Sequence, residues 1–454
     1  DVPYKVLERK YSFDESGMHK EEIHSNNMII HGDNLEALKS LLPQYEGKIK
    51  CIYIDPPYNT GNEGWIYNDN VNDPKIKKWL GEVVGKEGED LSRHDKWLCM
   101  MYPRLVLLQK LLADDGAIFI SIDDNEHANL LLVCNEVFGS NNFIQDIIWN
   151  KRVSPARDAK FFSTDHEYIL VYSKNKESLT THFLPRTEKN NSYYKNPDND
   201  PRGPWNSAAY TCNKSRDERP NLYYPITNPY TGEKIFPKES AVWAYSEETY
   251  QQHVRDNLLY WGVNGEAKQP RKKAFLSEVG DVVPRSVWSH SDVGSTQKAT
   301  MENNTIFNMR AFSYPKVSTL VERIIQIASD KDSIVLDSFA GSGTTAHAVL
   351  NMNKSDGGNR KFILVEMGDY ADTITAERVK RVINGYGEGK NAVEGTGGNF
   401  SYYELGNPLF MQDGTINDEV DITEVRKYVW YTETNGIEYK EDIQEKYFLG
   451  SYND

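Results

Sequence analysis

The sequence is poor in cysteine and short of positive charge, and it has no long apolar run. Its four cysteines in 454 residues, Cys51, Cys99, Cys134 and Cys212, show no metal-ligand spacing. Cys51 and Cys134 fall in apolar patterns, which suits free, buried thiols in a reducing compartment. No stretch approaches bilayer-spanning length and no signal peptide is visible, so a soluble cytoplasmic chain is expected. Asp1 opens the chain where a methionine would stand, as in a trimmed protein. Lys and Arg number 52 against 67 Asp and Glu, a net charge of −15. The deficit is uneven: residues 151–300 hold 22 basic against 18 acidic residues, and the remainder 30 against 49. Binding to a polyanion therefore needs a restricted groove, built mainly from the middle of the chain.

What is present is more specific. The apolar run Ile49 to Ile54 ends in Asp55-Pro56-Pro57-Tyr58. In open α/β sheets, ligands lie outside the carboxyl ends of the strands, where this tetrapeptide falls. Proline fixes φ, removes a backbone donor and holds the preceding residue extended. The carbonyls of Asp55 and Pro56 thus point in set directions, with a carboxylate beside them. Fixed acceptors and a flat ring suit a planar group bearing an NH2, such as a nucleobase. Two acceptors on that amine would favour a pyramidal nitrogen with its lone pair free, while Tyr58 stacks on an extruded base. The plain alternative is a proline-rich turn with Asp55 as its cap.

The run Ser333 to Asp337 is a second short strand, followed by Ser338-Phe339-Ala340-Gly341-Ser342-Gly343-Thr344-Thr345 and an apolar helix. Strand, glycine turn and helix form the nucleotide-binding arrangement. No Lys follows the glycines, which excludes a phosphate-binding kinase loop. About 20 residues on, the strand Phe362 to Val365 ends in Glu366, a spacing that suits a carboxylate on ribose. Asp337 in place of a glycine suggests a ligand with a positive amine, as in S-adenosylmethionine.

With DPPY and DSFAGSGTT in this order, the chain resembles the circularly permuted β group of amino DNA methyltransferases. The stretches NMIIHGDNLEALKSLLPQYEGKIKCIYIDPPYNTGN, DGAIFISIDDNE, HEYILVYSKNK and FSYPKVSTLVERII resemble the modification (Mod) subunits of type III restriction–modification systems and their solitary relatives. The resemblance implies an α/β, Rossmann-like S-adenosylmethionine-dependent methyltransferase sheet, circularly permuted, with an inserted target-recognition domain. It implies methyl transfer from S-adenosyl-L-methionine to N6 of a flipped adenine in double-stranded DNA. Asp55 and the Pro56 carbonyl would accept from the amine, Pro57 would stiffen the turn, and Tyr58 would stack. Phe339, Gly341 and Gly343 would line the cofactor pocket, with Asp337 near the methionine portion and Glu366 on the ribose. Asp33 would approach the adenine of the cofactor, an N-cap being the plainer role. Lys316 and Ser318 belong to the segment that closes the pocket. Asp123 and Asp124 fall at the same edge of the sheet, as lining or as solvated loop acids.

The expected domains are an N-terminal extension (1–27), a catalytic half (28–176), a recognition insert (177–305), a cofactor half (306–386) and an acidic C-terminal appendage (387–454). Strands and helices alternate in the two halves, as in a mostly parallel sheet. The insert clusters Trp and Tyr with basic residues. Arg202, Lys214, Arg216, Arg271, Lys272 and Lys273 are its DNA-binding candidates, and its aromatics are expected to form its core. Arg93, His94 and Lys96 could contact the DNA backbone or lie on a surface helix. Residues 401–454 carry 12 acids against 4 bases, which disfavours contact with DNA. A homodimer and a helicase–nuclease restriction subunit are partners implied by the resemblance alone, and no metal is expected. Asp at position 55 favours adenine. N4-cytosine methylation and a non-catalytic specificity subunit stand as alternatives.

Overall fold

The structure, a computed structural model, describes residues 2–60, 93–157, 159–411, 413–434 and 449. Eleven strands of the described residues form one sheet. In chain order they are β1 (Lys5–Asp14), β2 (Gly17–His19), β3 (Met28–His31), β4 (Ile49–Ile54), β5 (Leu112–Ile122), β6 (Phe143–Asn150), β7 (His166–Ser173), β8 (Val287–Trp288), β9 (Ile334–Asp337), β10 (Lys361–Glu366) and β11 (Asn399–Pro408). Across the sheet the order is β8-β6-β7-β5-β4-β9-β10-β3-β11-β1-β2. From β5 to β11 every neighbouring pair is parallel.

Burial explains the central strands. All six residues of β4 are buried, including Lys50. A buried ammonium is costly unless paired, and Lys50 Nζ lies 2.6 Å from Asp115 Oδ2. The sheet is covered by helices whose apolar residues recur at helical spacing. In α1 (Asn34–Tyr45) these are Leu35, Leu38, Leu41 and Leu42. Among the helices that follow are α2 (Arg93–Leu111), α3 (Thr296–Phe307) and α4 (Ser318–Ala328). In α4 the buried apolar set is Leu320, Val321, Ile324, Ile325, Ile327 and Ala328. Then come α5 (Thr344–Asp356) and α6 (Glu377–Asn384).

Two central strands set the site. β4 and β9 are neighbours, with Cys51 opposite Val335 and Ile52 opposite Leu336. They come from distant parts of the chain, so the Asp55 turn and the glycine turn leave the same edge of the sheet side by side.

Three expected boundaries move. The separate compact unit is Phe183–Pro284, shorter than the expected 177–305. Residues beyond it return to the first unit: β8 pairs with β6, and Trp288 is buried there rather than in the insert core. The segment after 387 is not wholly an appendage. β11 lies between β3 and β1, because Phe400 and Tyr402 are buried in the sheet. The N-terminal extension likewise supplies β1 and β2. The last eight residues of the chain, apart from Leu449, and residues 435–446 lie outside the described residues.

The unit Phe183–Pro284 has a three-stranded sheet of Leu259–Tyr260, Arg271–Phe275 and Trp205–Ala209. Its core is aromatic: Tyr210, Tyr224, Trp243, Tyr250 and Trp261 surround Ile226. Of its DNA-binding candidates, Lys273 is buried, with Nζ 2.9 Å from Asp200 and 2.5 Å from Asp198. It is a core ion pair and is not free to meet a phosphate. Arg202 is held by both oxygens of Asp200 and donates to the carbonyls of Asp256 and Asn257, so its fork is largely spent on the fold. Lys214 and Arg216 are exposed, paired with Glu218 and stacked on Tyr223 respectively. Arg271 is exposed and bonded to Ser207, and Lys272 lies over the ring of Tyr245.

The central strands carry the stability. Ile363→Ala, in the middle of β10, is expected to cost about 2–5 kcal/mol, seen as a lower urea midpoint with an unchanged slope.

Candidate active site

β4 delivers Asp55 to the sheet edge, and the two prolines then stop the chain from continuing as strand. The turn is pinned from below. Trp97 on α2, itself buried, donates its indole N–H to the Pro57 carbonyl at 2.7 Å. Asn59 has a φ of 57°, in the left-handed region that asparagine tolerates. Its amide donates to buried Glu126, which also takes bonds from Asn129 at 2.8 Å and His94 at 2.7 Å. His94, a candidate DNA contact in the sequence, therefore braces the turn. The side chain of Arg93 lies outside the described residues.

Asp55 does not stand alone. Lys316 Nζ is 2.8 Å from Asp55 Oδ1 and 3.4 Å from Glu167 Oε2, and donates to the Tyr58 hydroxyl at 2.8 Å. That hydroxyl lies 2.9 Å from Asp55 Oδ1 and 3.1 Å from Glu167 Oε2, with one proton to serve either. Lys151 closes the cluster at 2.8 Å from Glu167 Oε1. The cluster holds two carboxylates and two ammonium groups, a balanced set.

Its electrostatics follow from burial and that balance. Burial pushes the Asp55 carboxyl above the ordinary range, opposed by Lys316. Burial alone would raise Glu167 too, but Lys316 and Lys151 hold it below its ordinary value. Burial disfavours the Lys316 cation, yet Asp55 and Glu167 outweigh this and hold it protonated. Burial, then the charge of Asp55, lifts the Tyr58 phenol well up.

β9 delivers Asp337 to the adjacent position. Its Oδ1 accepts from the Phe339 N–H at 3.0 Å and its Oδ2 from the Thr345 hydroxyl at 2.5 Å. Burial pushes its carboxyl up to about 7, against those two hydrogen bonds. Gly341 and Gly343 have φ of 52° and 80°. At Gly343 a Cβ would stand 2.9 Å from the Thr375 carbonyl oxygen, so the turn needs glycine on both counts. Glu366, at the end of β10, accepts from the Gly341 N–H at 2.7 Å and the Gly368 N–H at 2.8 Å.

Lys316 stands between two cavities. A small one of about 20 Å³ is lined by Tyr53, Asp337, Phe339, Gly341, Pro315 and Lys316. A larger cleft of about 530 Å³ is lined by Asp55, Pro56, Pro57, Tyr58, Glu167 and Lys316, with Asp123, Lys151, Arg152 and Arg310 around them.

The expected site residues divide on this geometry. Asp55 lines both cavities, Pro56, Pro57 and Tyr58 the larger alone, and Asp337, Phe339 and Gly341 the smaller alone. Lys316, expected with the cofactor residues, lays its ammonium on the carboxylates of the other group. Ser318 is turned away: it opens α4 and donates to Glu302 on α3 at 2.7 Å. Asp33 caps α1, accepting from the Leu35 N–H at 2.8 Å, and lines neither cavity. Asp123 lines the larger cleft, while Asp124 is exposed. Glu167 and Lys151 were not singled out in the sequence. Their signal was an acid inside the apolar run of β7 and a lysine just past β6.

A family model described as DNA methylase matches residues 49–377. The chain is 36% identical over 390 residues to the type III restriction–modification enzyme StyLTI Mod subunit of Salmonella typhimurium, covering 80% of this chain and 58% of that one. It is 33% identical over 361 residues to the type II methyltransferase M.KpnI of Klebsiella pneumoniae, covering 75% and 81%. The chain thus spans little more than half the length of the type III relatives. A solved PvuII DNA methyltransferase, cytosine-N4-specific, matches at 14% identity over 78% of this chain and 86% of that one, with a TM-score of 0.41.

Asp337 has a measurable signature. Its folded-state pKa near 7 exceeds the unfolded value of about 4, so the folded chain binds the extra proton between them. Stability relative to Asp337→Asn should therefore fall as pH rises from about 4 to about 7 and stay level above. Urea unfolding of both proteins at pH 5 and pH 8 measures this difference.

Proposed function

This chain belongs to the DNA methylase family, and we propose that it transfers a methyl group from S-adenosylmethionine to N6 of an adenine extruded from double-stranded DNA. One observation carries the reading: Asp55 and Asp337 leave adjacent parallel strands at one edge, so an amine held by the first would meet a ligand held beside the second.

The residues around Asp337 suit that ligand. A buried carboxyl can take its ammonium, the Phe339 ring its flat base, and Glu366 its ribose hydroxyls once the N–H groups of Gly341 and Gly368 are released. At Gly343 a Cβ would meet the Thr375 carbonyl oxygen at 2.9 Å, so the turn keeps its shape only with glycine there. When bound, S-adenosylmethionine supplies an electrophilic methyl group.

In the cleft, Asp55 and the Pro56 carbonyl would accept from the target amine and orient its lone pair. Tyr58 would lie against the base. Lys316 favours the ionised form of Asp55 against its burial, the form that accepts rather than donates. The work is positioning and electrostatics in a site screened from water. The exposed bases Lys214, Arg216 and Arg271 and the half-buried Lys272 are the candidates for DNA contact by the unit of residues 183–284. A type III restriction–modification assembly in the bacterial cytoplasm, with a helicase–nuclease subunit, belongs to the same proposal. Copurification with a large ATPase tests it, and sedimentation tests a homodimer.

Two variants test the chemistry. Asp55→Ala should abolish transfer of labelled methyl to mixed DNA while S-adenosylmethionine binding persists in calorimetry. Retained turnover would remove Asp55 from the mechanism. Lys316→Met should move the acid limb of the kcat profile up by about one pH unit or more, because Asp55 loses its neighbouring cation. Mapping the modified bases then identifies adenine, or cytosine, and the site.

A further inference from the structure

Beyond Lys151, the loop between β6 and β7 has no role in the site as described, yet it rises from the cleft. β6 runs antiparallel to β7, which runs antiparallel to β5. β6 therefore ends at the same edge as β4, and the loop leaves from there. Its first two residues, Lys151 and Arg152, line the larger cleft. The stem is ordered by hydrogen bonds: the Lys151 and Arg152 N–H groups donate to the Asp165 carbonyl at 2.9 and 3.3 Å. The Ala156 N–H donates to Ser163 Oγ at 2.7 Å, and that hydroxyl bonds Asp165.

At its far end this loop presents two phenylalanines to water. Phe161 is 81% exposed and Phe162 92%, against the general burial of phenylalanine. From Arg152 to Phe162 the sequence holds three cations, Arg152, Arg157 and Lys160, against one acid, Asp158, and the three cations are exposed. Lys160 Nζ lies 5.2 Å from the centre of the Phe161 ring. Adjacent apolar rings amid cations match a duplex, whose phosphates flank an apolar base stack. An acidic protein surface would also meet the cations, but only a duplex pairs its charges with flat, stacked apolar faces.

We propose that Phe161 and Phe162 form a wedge that enters the DNA base stack beside the target and fills the gap left when the base moves into the Asp55 cleft. Arg152, Arg157 and Lys160 hold the phosphates on either side. Apolar side chains inserted between base steps are an established way to hold an opened duplex, and a ring stacked on a base stabilises it comparably to other such platforms. The inference rests on the proposed function.

The test is the full chain carrying Phe161→Ala and Phe162→Ala together, on a duplex bearing the site found by methylation mapping. On matched duplex, kcat/KM should fall roughly 10- to 100-fold. With a mismatch opposite the target, where the base is already unpaired, the loss should shrink to about threefold or less. With 2-aminopurine at the target, the fluorescence rise on binding should be lost in the variant without cofactor present. S-adenosylmethionine affinity and the urea midpoint should match the wild type. An equal loss on matched and mismatched DNA would overturn the wedge and leave simple DNA affinity. No loss on either would assign the rings to a protein partner. If the wild-type chain methylates no DNA and raises no 2-aminopurine signal, the proposed function falls and the wedge with it.

Discussion

Lys316 lies within 3.4 Å of two carboxylates from different strands, Asp55 after β4 and Glu167 in β7. Without that ammonium, two acids would share a space where burial already works against their charge, and one would take up a proton. A protonated Asp55 could donate a hydrogen bond but would lose half its capacity to accept. The cation thus decides which chemistry this edge of the sheet can do. It reaches the acids from a segment that also covers the glycine turn, since the Lys316 carbonyl accepts from the Thr344 hydroxyl at 3.2 Å. Movement of that segment would be felt on both sides at once.

The glycine turn is held with comparable care. Arg378 on α6 is fully buried and donates to Ser342 and Thr344 at 2.9 Å each, and to Glu302 at 2.5 Å. Glu302 also receives Ser318. One arginine therefore ties the turn, α3 and α4 into a single unit, and removal of any one partner would strand a buried charge. His347, beside the same guanidinium, is kept neutral by burial first and by Arg378 second.

Much of this was legible in the sequence because it depends on short-range chemistry. The apolar run of β4, the proline stop after Asp55, and the strand, glycine turn and helix at 334–345 each carry their own signal. Glu167 did not, because strand alternation cannot tell which neighbour an acid will face until β7 is laid antiparallel to β5. Lys273 read as a DNA contact for the same reason. Its partners Asp198 and Asp200 lie over 70 residues away, and a lysine looks alike in sequence whether paired or free. The expected edge of the insert at 305 failed because Trp288 resembles the aromatics before it, although its burial belongs to the larger unit.

The placement of β11 bears on how the chain is made. Met28 pairs with Ser401 and β1 reaches the sheet only through β11. During synthesis, the first strands emerge long before the strand that joins them. Until then β3 offers an open, apolar edge of the kind that invites wrong pairing. Closure over so long a separation is also slow. A ribosome that stalls before residue 400 would leave a chain with both candidate pockets encoded but its sheet unfinished, a natural client for a chaperone.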